Sequence, residues 1–266
     1  MNLVYLKFLN TIKAFSHIYV VVRGVCFMRI LSIVKRQWIL LLLPILLLIG
    51  TLYAHDTILS KLSGKIIVVD AGHGGIDPGA NRPGILEKDI NLAIALQLKN
   101  ILNEYGAKVV LSRQADIELS AECDNEKVRG RYRRDLTARV EMAEESDADL
   151  FISLHANAVS NTKRQGAEVF YYAKSETSKV LSTSIQAELA KVTKATPTPN
   201  TADYFVLRRN KIPAALIEVG YITNTEERSL LQSPEHQRKL AEAIARGIHD
   251  YYHSVSLPNT TTKDYN

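Results

Sequence analysis

The stretch KIIVVDAGHGG, residues 65–75, decides the fold. Four consecutive aliphatic residues, then Asp70 and a glycine-rich turn, describe a strand buried on both faces, and such strands belong to parallel sheets covered by helices. Outward from it, aliphatic runs alternate with helical stripes. From Glu87 to Tyr105 apolar residues recur at Ile90, Ile94, Leu98, Ile101 and Tyr105, and Gly106 supplies a stop. AKVVLS (107–112) predicts the next strand, Asp135 to Ser146 a helix through Leu136, Val140 and Ala143, and DLFISLH (149–155) a strand. AEVFYY (167–172) predicts a further strand, followed by a helix whose inner face is Leu181, Ile185, Leu189 and Val192. AALIEV (214–219) is the last expected strand, and Ser233-Pro234 opens a final helix with Leu240, Ile244, Ile248 and Tyr251 facing inward. The alternation predicts an α/β fold: a single domain with a mostly parallel central sheet flanked by helices. Residues 114–134 and 193–203 are expected to be irregular, the first charged and without period, the second rich in Thr and Pro. No internal repeat is present.

Ahead of this domain, Trp38 to Ala54 form an uncharged run at the short end for a membrane-spanning helix. Lys35 and Arg36 precede it and Asp56 follows, so the positive-inside rule places residues 1–37 in the cytoplasm and the rest outside. Leu52 sits where a cleavage site prefers a small residue, which favours an uncleaved signal-anchor over a removed signal peptide. MRILSIVKRQWILLLL, from Met28, reads as a complete leader by itself, making Met28 a candidate true start. The expected organisation is a leader (1–37), an anchor (38–54), the α/β domain (64–252) and a polar tail (253–266).

The net charge of +5 comes from the leader. Up to residue 55 there are six Lys or Arg and no Asp or Glu, leaving 27 basic against 28 acidic residues in the remainder. A nucleic-acid partner is therefore not expected. Cys26 lies in the leader and Cys123 in a polar stretch, so the exported part has one thiol, read as a passive surface residue, and no internal disulfide.

Four polar residues stand where the strands and the first helix meet the rim of the sheet: His73 in VVDAGHGG, Glu87 in GILEKD, His155 in FISLHAN and Glu218 in AALIEVG. Ligands bind outside the carboxyl ends of strands in open α/β sheets. Two imidazoles and a carboxylate make a ligand set for a catalytic zinc with one open position, leaving a further acid to act as base. Each residue also has a plainer reading. His73 can be a loop histidine or part of a phosphate cradle, although GHGG lacks the P-loop Lys. Glu87 suits any helix start. His155 can be hydrogen-bonded in the rim. Glu218, flanked by Leu216, Ile217 and Val219, needs a partner because a buried lone carboxylate costs several kcal/mol, and an ion pair with Arg113 or Arg139 would also serve.

In order and spacing, the segments VVDAGHGGIDPGA, LEKDINLAIAL, FISLHAN and AALIEVGYITN resemble the zinc-dependent N-acetylmuramoyl-L-alanine amidases, over roughly residues 64–252. The resemblance implies one zinc ion per chain held by His73, Glu87 and His155, with Glu218 as the catalytic glutamate. It also implies a peptidoglycan substrate, cut between N-acetylmuramic acid and L-alanine. Tyr221 stands where many members have Phe. A short anchor joined directly to the catalytic domain, with RGRYRRDL (129–136) before the second helix, is most similar to the spore germination amidases, which act in forming muramic δ-lactam in spore cortex. The rival expectations are a zinc wall peptidase of other bond specificity and a non-catalytic wall-binding protein.

Overall fold

In the computed structural model, which describes residues 44–46 and 62–256, the 65–75 stretch forms the strand β1 (Ile66–Ala71) at the heart of a six-stranded sheet. The chain then makes a small hairpin, β2 (Asn81–Arg82) and β3 (Ile85–Leu86), before helix α1 (Glu87–Glu104) and strand β4 (Lys108–Leu111). Helix α2 (Arg131–Glu145) leads to β5 (Leu150–Asn157), and β6 (Glu168–Tyr171) to α3 (Glu176–Leu189). Short elements follow, β7 (Asn200–Thr201) and α4 (Phe205–Arg209), then β8 (Ala214–Tyr221), α5 (Thr225–Leu231) and α6 (Pro234–Ser256). The strand order is β4-β1-β5-β8-β6-β7. All neighbours are parallel except β6 and β8, so this is a single α/β domain with a mostly parallel sheet, flanked by helices.

Side chains alternate between the two faces of the central strands, and the two faces differ. One face carries Ile67, Val69, Ile152, Leu154, Ala215 and Ile217, packed in a large cluster with α1, α3 and α6. The other begins apolar, with Val68, Phe151, Ala214 and Leu216 against Val140 of α2 and Val206 of α4. Towards the strand ends the same alternation delivers Asp70, Ser153, His155 and Glu218 to that second face. With each fully buried Leu or Ile worth roughly 1.5–3 kcal/mol, stability is concentrated on the first face and the second is left free for polar chemistry.

Several expectations are corrected. Helix α2 starts at Arg131, four residues before Asp135, and α4 and α5 were not anticipated. Cys123 is buried, 4 % exposed, beside Leu119 and Ala138 rather than on the surface. Leu62 is fully buried ahead of the expected boundary at 64, and α6 continues through residues 253–256 of the expected tail. The leader, Met28 and the anchor lie outside the described residues apart from the helical stretch 44–46. Among the described residues no helix is long and apolar enough to cross a membrane.

The contact between α3 and α6 is made close by Gly247. A methyl group there would lie 2.5 Å from Ile185 Cα and 2.9 Å from its backbone N, which cannot move without the helix. Gly247→Ala gains about 1 kcal/mol of helix propensity and costs about 1–3 kcal/mol of overpacking. Net destabilisation is expected, read as a lower midpoint in thermal unfolding; an unchanged or higher midpoint would show that the helices can separate cheaply.

Candidate active site

The turn after β1 carries His73 at φ 63°, a left-handed conformation costly for a side-chain-bearing residue and therefore held by its surroundings. Two buried arginines do much of the holding. Arg113 donates from Nε to the Ala71 carbonyl (2.9 Å) and from a terminal nitrogen to those of Gly72 (3.1 Å) and Lys88 (2.7 Å). Arg139, 2 % exposed, donates to the carbonyls of Ala71 (3.1 Å) and His73 (2.9 Å) and pairs with Asp70 and Asp135. Asp70 in turn accepts from Ser153 Oγ at 2.7 Å. Burial alone would raise the pKa of Asp70, but Arg139 and Ser153 outweigh it and keep the carboxyl below its ordinary value. Neither arginine reaches Glu218: their donors are committed to backbone carbonyls and to Asp70 and Asp135, so the expected ion-pair alternative for Glu218 is not formed.

The turn presents His73 to Glu87, the first residue of α1. Glu87 Oε1 lies 3.1 Å from His73 Nε2 and 2.9 Å from His155 Nδ1, and it also accepts from Ala156 N at 3.2 Å. Glu87 Oε2 accepts from Ala80 N at 2.7 Å. The two imidazoles stand edge to face, centroids 4.9 Å apart. Gly72 permits this closeness, since a Cβ at that position would fall 2.3 Å from His155 Cε1. On its far side His73 Nδ1 meets Asp77 Oδ2 at 2.8 Å, which orients the ring as carboxylates orient metal-binding histidines. His73, Glu87 and His155 thus offer ligand atoms all within 4.8 Å of one another.

Glu218 stands beside them by register, paired with His155 across β5 and β8. Its Oε2 is buried and has no hydrogen-bond partner among the described residues. Burial pushes its pKa up, Glu87 adding to the rise and His155 opposing it, to about 7. His73 shows the converse balance: burial lowers its pKa, but Glu87 and Asp77 outweigh that and raise it to about 9. Glu87, which burial would raise, is held far below the usual carboxylate range by hydrogen bonds from the two histidines. The histidines and Glu218 open into a cleft of ≈ 480 Å³, walled by Tyr132 and Arg133 of α2 and by Tyr204 and Phe205 at α4.

The donor chemistry fits a divalent cation. Two nitrogens and a carboxylate converge, a second acid sets the tautomer of one ring, and an unsatisfied carboxylate oxygen waits alongside. All four residues singled out in the sequence meet in this cleft or in its wall. Asp77, Arg113, Arg139 and Asp70 complete the arrangement and were not read as site residues; the signal for Asp77 was an acid four residues after the histidine of a glycine turn.

Residues 67–250 match the family model described as N-acetylmuramoyl-L-alanine amidase. The chain belongs to this family. It is accordingly an N-acetylmuramoyl-L-alanine amidase, a peptidoglycan hydrolase of a family in which zinc dependence is a shared feature. Among relatives, the germination-specific N-acetylmuramoyl-L-alanine amidase of Bacillus subtilis is 38% identical over 193 residues, covering 72% of this chain and 81% of the relative. Among solved structures, the CwlD amidase from Clostridioides difficile, in complex with the GerS lipoprotein, is similar with TM-score 0.66 and 42% identity, covering 72% of this chain and all of that one. The amidase AmiC2 of Nostoc punctiforme is similar with TM-score 0.60 and 36% identity, covering 72% of this chain and 99% of that one.

The raised pKa of His73 has a measurable sign. Below pH about 9 the metal-free ring holds a proton that a metal must displace, so zinc affinity should weaken about tenfold per pH unit as pH falls below that value. Calorimetric titration with zinc at pH 8, in buffers of different ionisation enthalpy, should give at least one proton released per ion, the first from His73 and any further one from zinc-bound water. Release of none would show that His73 is already neutral.

Proposed function

We propose that this amidase cuts the bond between the lactyl carbonyl of N-acetylmuramic acid and L-alanine with water activated at a single zinc ion. His73, Glu87 and His155 are its ligands and Glu218 its base. The observation that carries the reading is the pairing of a compact two-histidine, one-carboxylate cluster with the buried, unpartnered oxygen of Glu218. When bound, zinc supplies Lewis acidity that makes water acidic near neutrality and polarises a carbonyl. Asp77, bonded to Nδ1 of His73, orients that imidazole. Glu218 accepts the proton of the attacking water and delivers it to the departing amine nitrogen of L-alanine. Burial, which raises the carboxyl above the ordinary glutamate value, suits a group that takes a proton and then returns it.

The setting we propose is spore cortex, where removal of the stem peptide prepares muramic acid for δ-lactam formation. The likeness to the germination-specific relative supports it. The uncharged run Trp38–Ala54, with Lys35 and Arg36 before it, supports a membrane anchor with the catalytic domain on the extracytoplasmic side.

Glu218→Gln tests the chemistry. The variant should keep its zinc while kcat on purified muropeptides falls about 10²–10⁴-fold, with mass spectrometry showing the muramyl–alanine bond as the one cut by the parent. A parent-like rate in the Gln variant would remove Glu218 from the mechanism. Expression in a spore-former lacking its germination amidase tests the setting, with recovery of muramic δ-lactam expected; wall turnover without δ-lactam would point to the vegetative wall.

A further inference from the structure

Arg131, Arg133 and Arg134 occupy the first turn of α2, where positive side chains oppose the helix dipole. That turn has no acidic residue, and no side chain caps it. Two of the three are satisfied otherwise. Arg131 pairs with Glu118, and Arg134 donates to the carbonyls of Ser120 and Cys123. Arg133 has no carboxylate or carbonyl partner among the described residues; its guanidinium instead lies 4.9 Å from the centre of the Phe205 ring. Stacking of this kind steadies a guanidinium without neutralising it.

Arg133 and Phe205 line the cleft that holds His73, His155 and Glu218. Both also line a second depression of ≈ 650 Å³, in which five of the twelve lining residues are Arg or Lys and two are Glu. Of these, Arg208 pairs with Asp203 and Lys211 with Glu144, so Arg133 is the cation lining both depressions that has no carboxylate partner among the described residues. Substrate charge decides which half meets it. Muramic acid is neutral once its lactyl carboxyl is an amide, whereas the peptide on the amine side carries free carboxylates.

Resting on the amidase reading, we propose that Arg133, held against Phe205, pairs with a carboxylate of the stem peptide beyond L-alanine and so determines which stems are released. A guanidinium suits this task because its planar fork binds a carboxylate through two hydrogen bonds.

The test uses two substrates: glycan strands bearing L-alanyl-γ-D-glutamyl stems with the α-carboxylate free, and the same strands with it amidated. The zinc-loaded full chain should prefer the free carboxylate by about tenfold or more in kcat/KM, the scale of a charge-assisted hydrogen bond. In Arg133→Gln that preference should collapse towards one, mostly through a higher KM on the carboxylate substrate. Arg133→Lys should keep part of it. Zinc content and melting temperature establish that each variant is folded. Equal losses on both substrates, or an unchanged preference in the Gln variant, would overturn the proposal. If the parent releases no peptide from either substrate, the amidase reading falls and this proposal with it.

Discussion

Everything at the mouth of this sheet depends on one carboxylate shared by two imidazoles. Glu87 Oε1 meets both His73 Nε2 and His155 Nδ1 while its second oxygen is tied to the backbone of Ala80. Such a cluster does not assemble by hydrophobic packing, because burying its charges costs several kcal/mol per ion. Other charges support it. Arg113 and Arg139 grip the carbonyls on which the His73 turn rests, and Lys88 joins them by bonding the Gly75 carbonyl and Asp116. A chain whose other face packs one large apolar cluster can sustain that expense.

The division of labour between the faces also explains why catalytic and structural residues alternate along single strands. In β8 Ile217 and Val219 anchor the strand while Glu218 between them faces the cleft, and in β5 Leu154 and Ala156 do the same around His155. A one-residue slip of register would exchange the two sets and bury the wrong one. Core packing therefore places the site.

That logic made most of the architecture legible in the sequence. Continuous aliphatic runs marked the central strands, and the rim positions of His73, His155 and Glu218 followed from where those runs ended. Less legible were elements without a hydrophobic period. The first turn of α2 is all Arg and Tyr after a glycine, so nothing in it signals a helix start, and α4 spans only five residues. Helix α5 did carry a signal. Asn224 accepts from Glu226 N and Glu227 N, the ordinary meaning of an Asn ahead of a pair of acids. The arginine grip could not have been read at all. It joins residues about forty to seventy positions apart through backbone carbonyls, which leave no mark on side-chain identity. Cys123 was misplaced for a related reason: its neighbours in sequence are polar, but its neighbours in space are Leu119 and Ala138.

The central claim is that His73, Glu87 and His155 form one metal site next to Glu218. Anomalous diffraction at the zinc edge, from crystals of the chain grown with one equivalent of zinc, tests it most directly. One strong peak bonded to these three side chains, within reach of Glu218, is the expected result. Zinc found only elsewhere, with the three side chains still clasping one another, would contradict it.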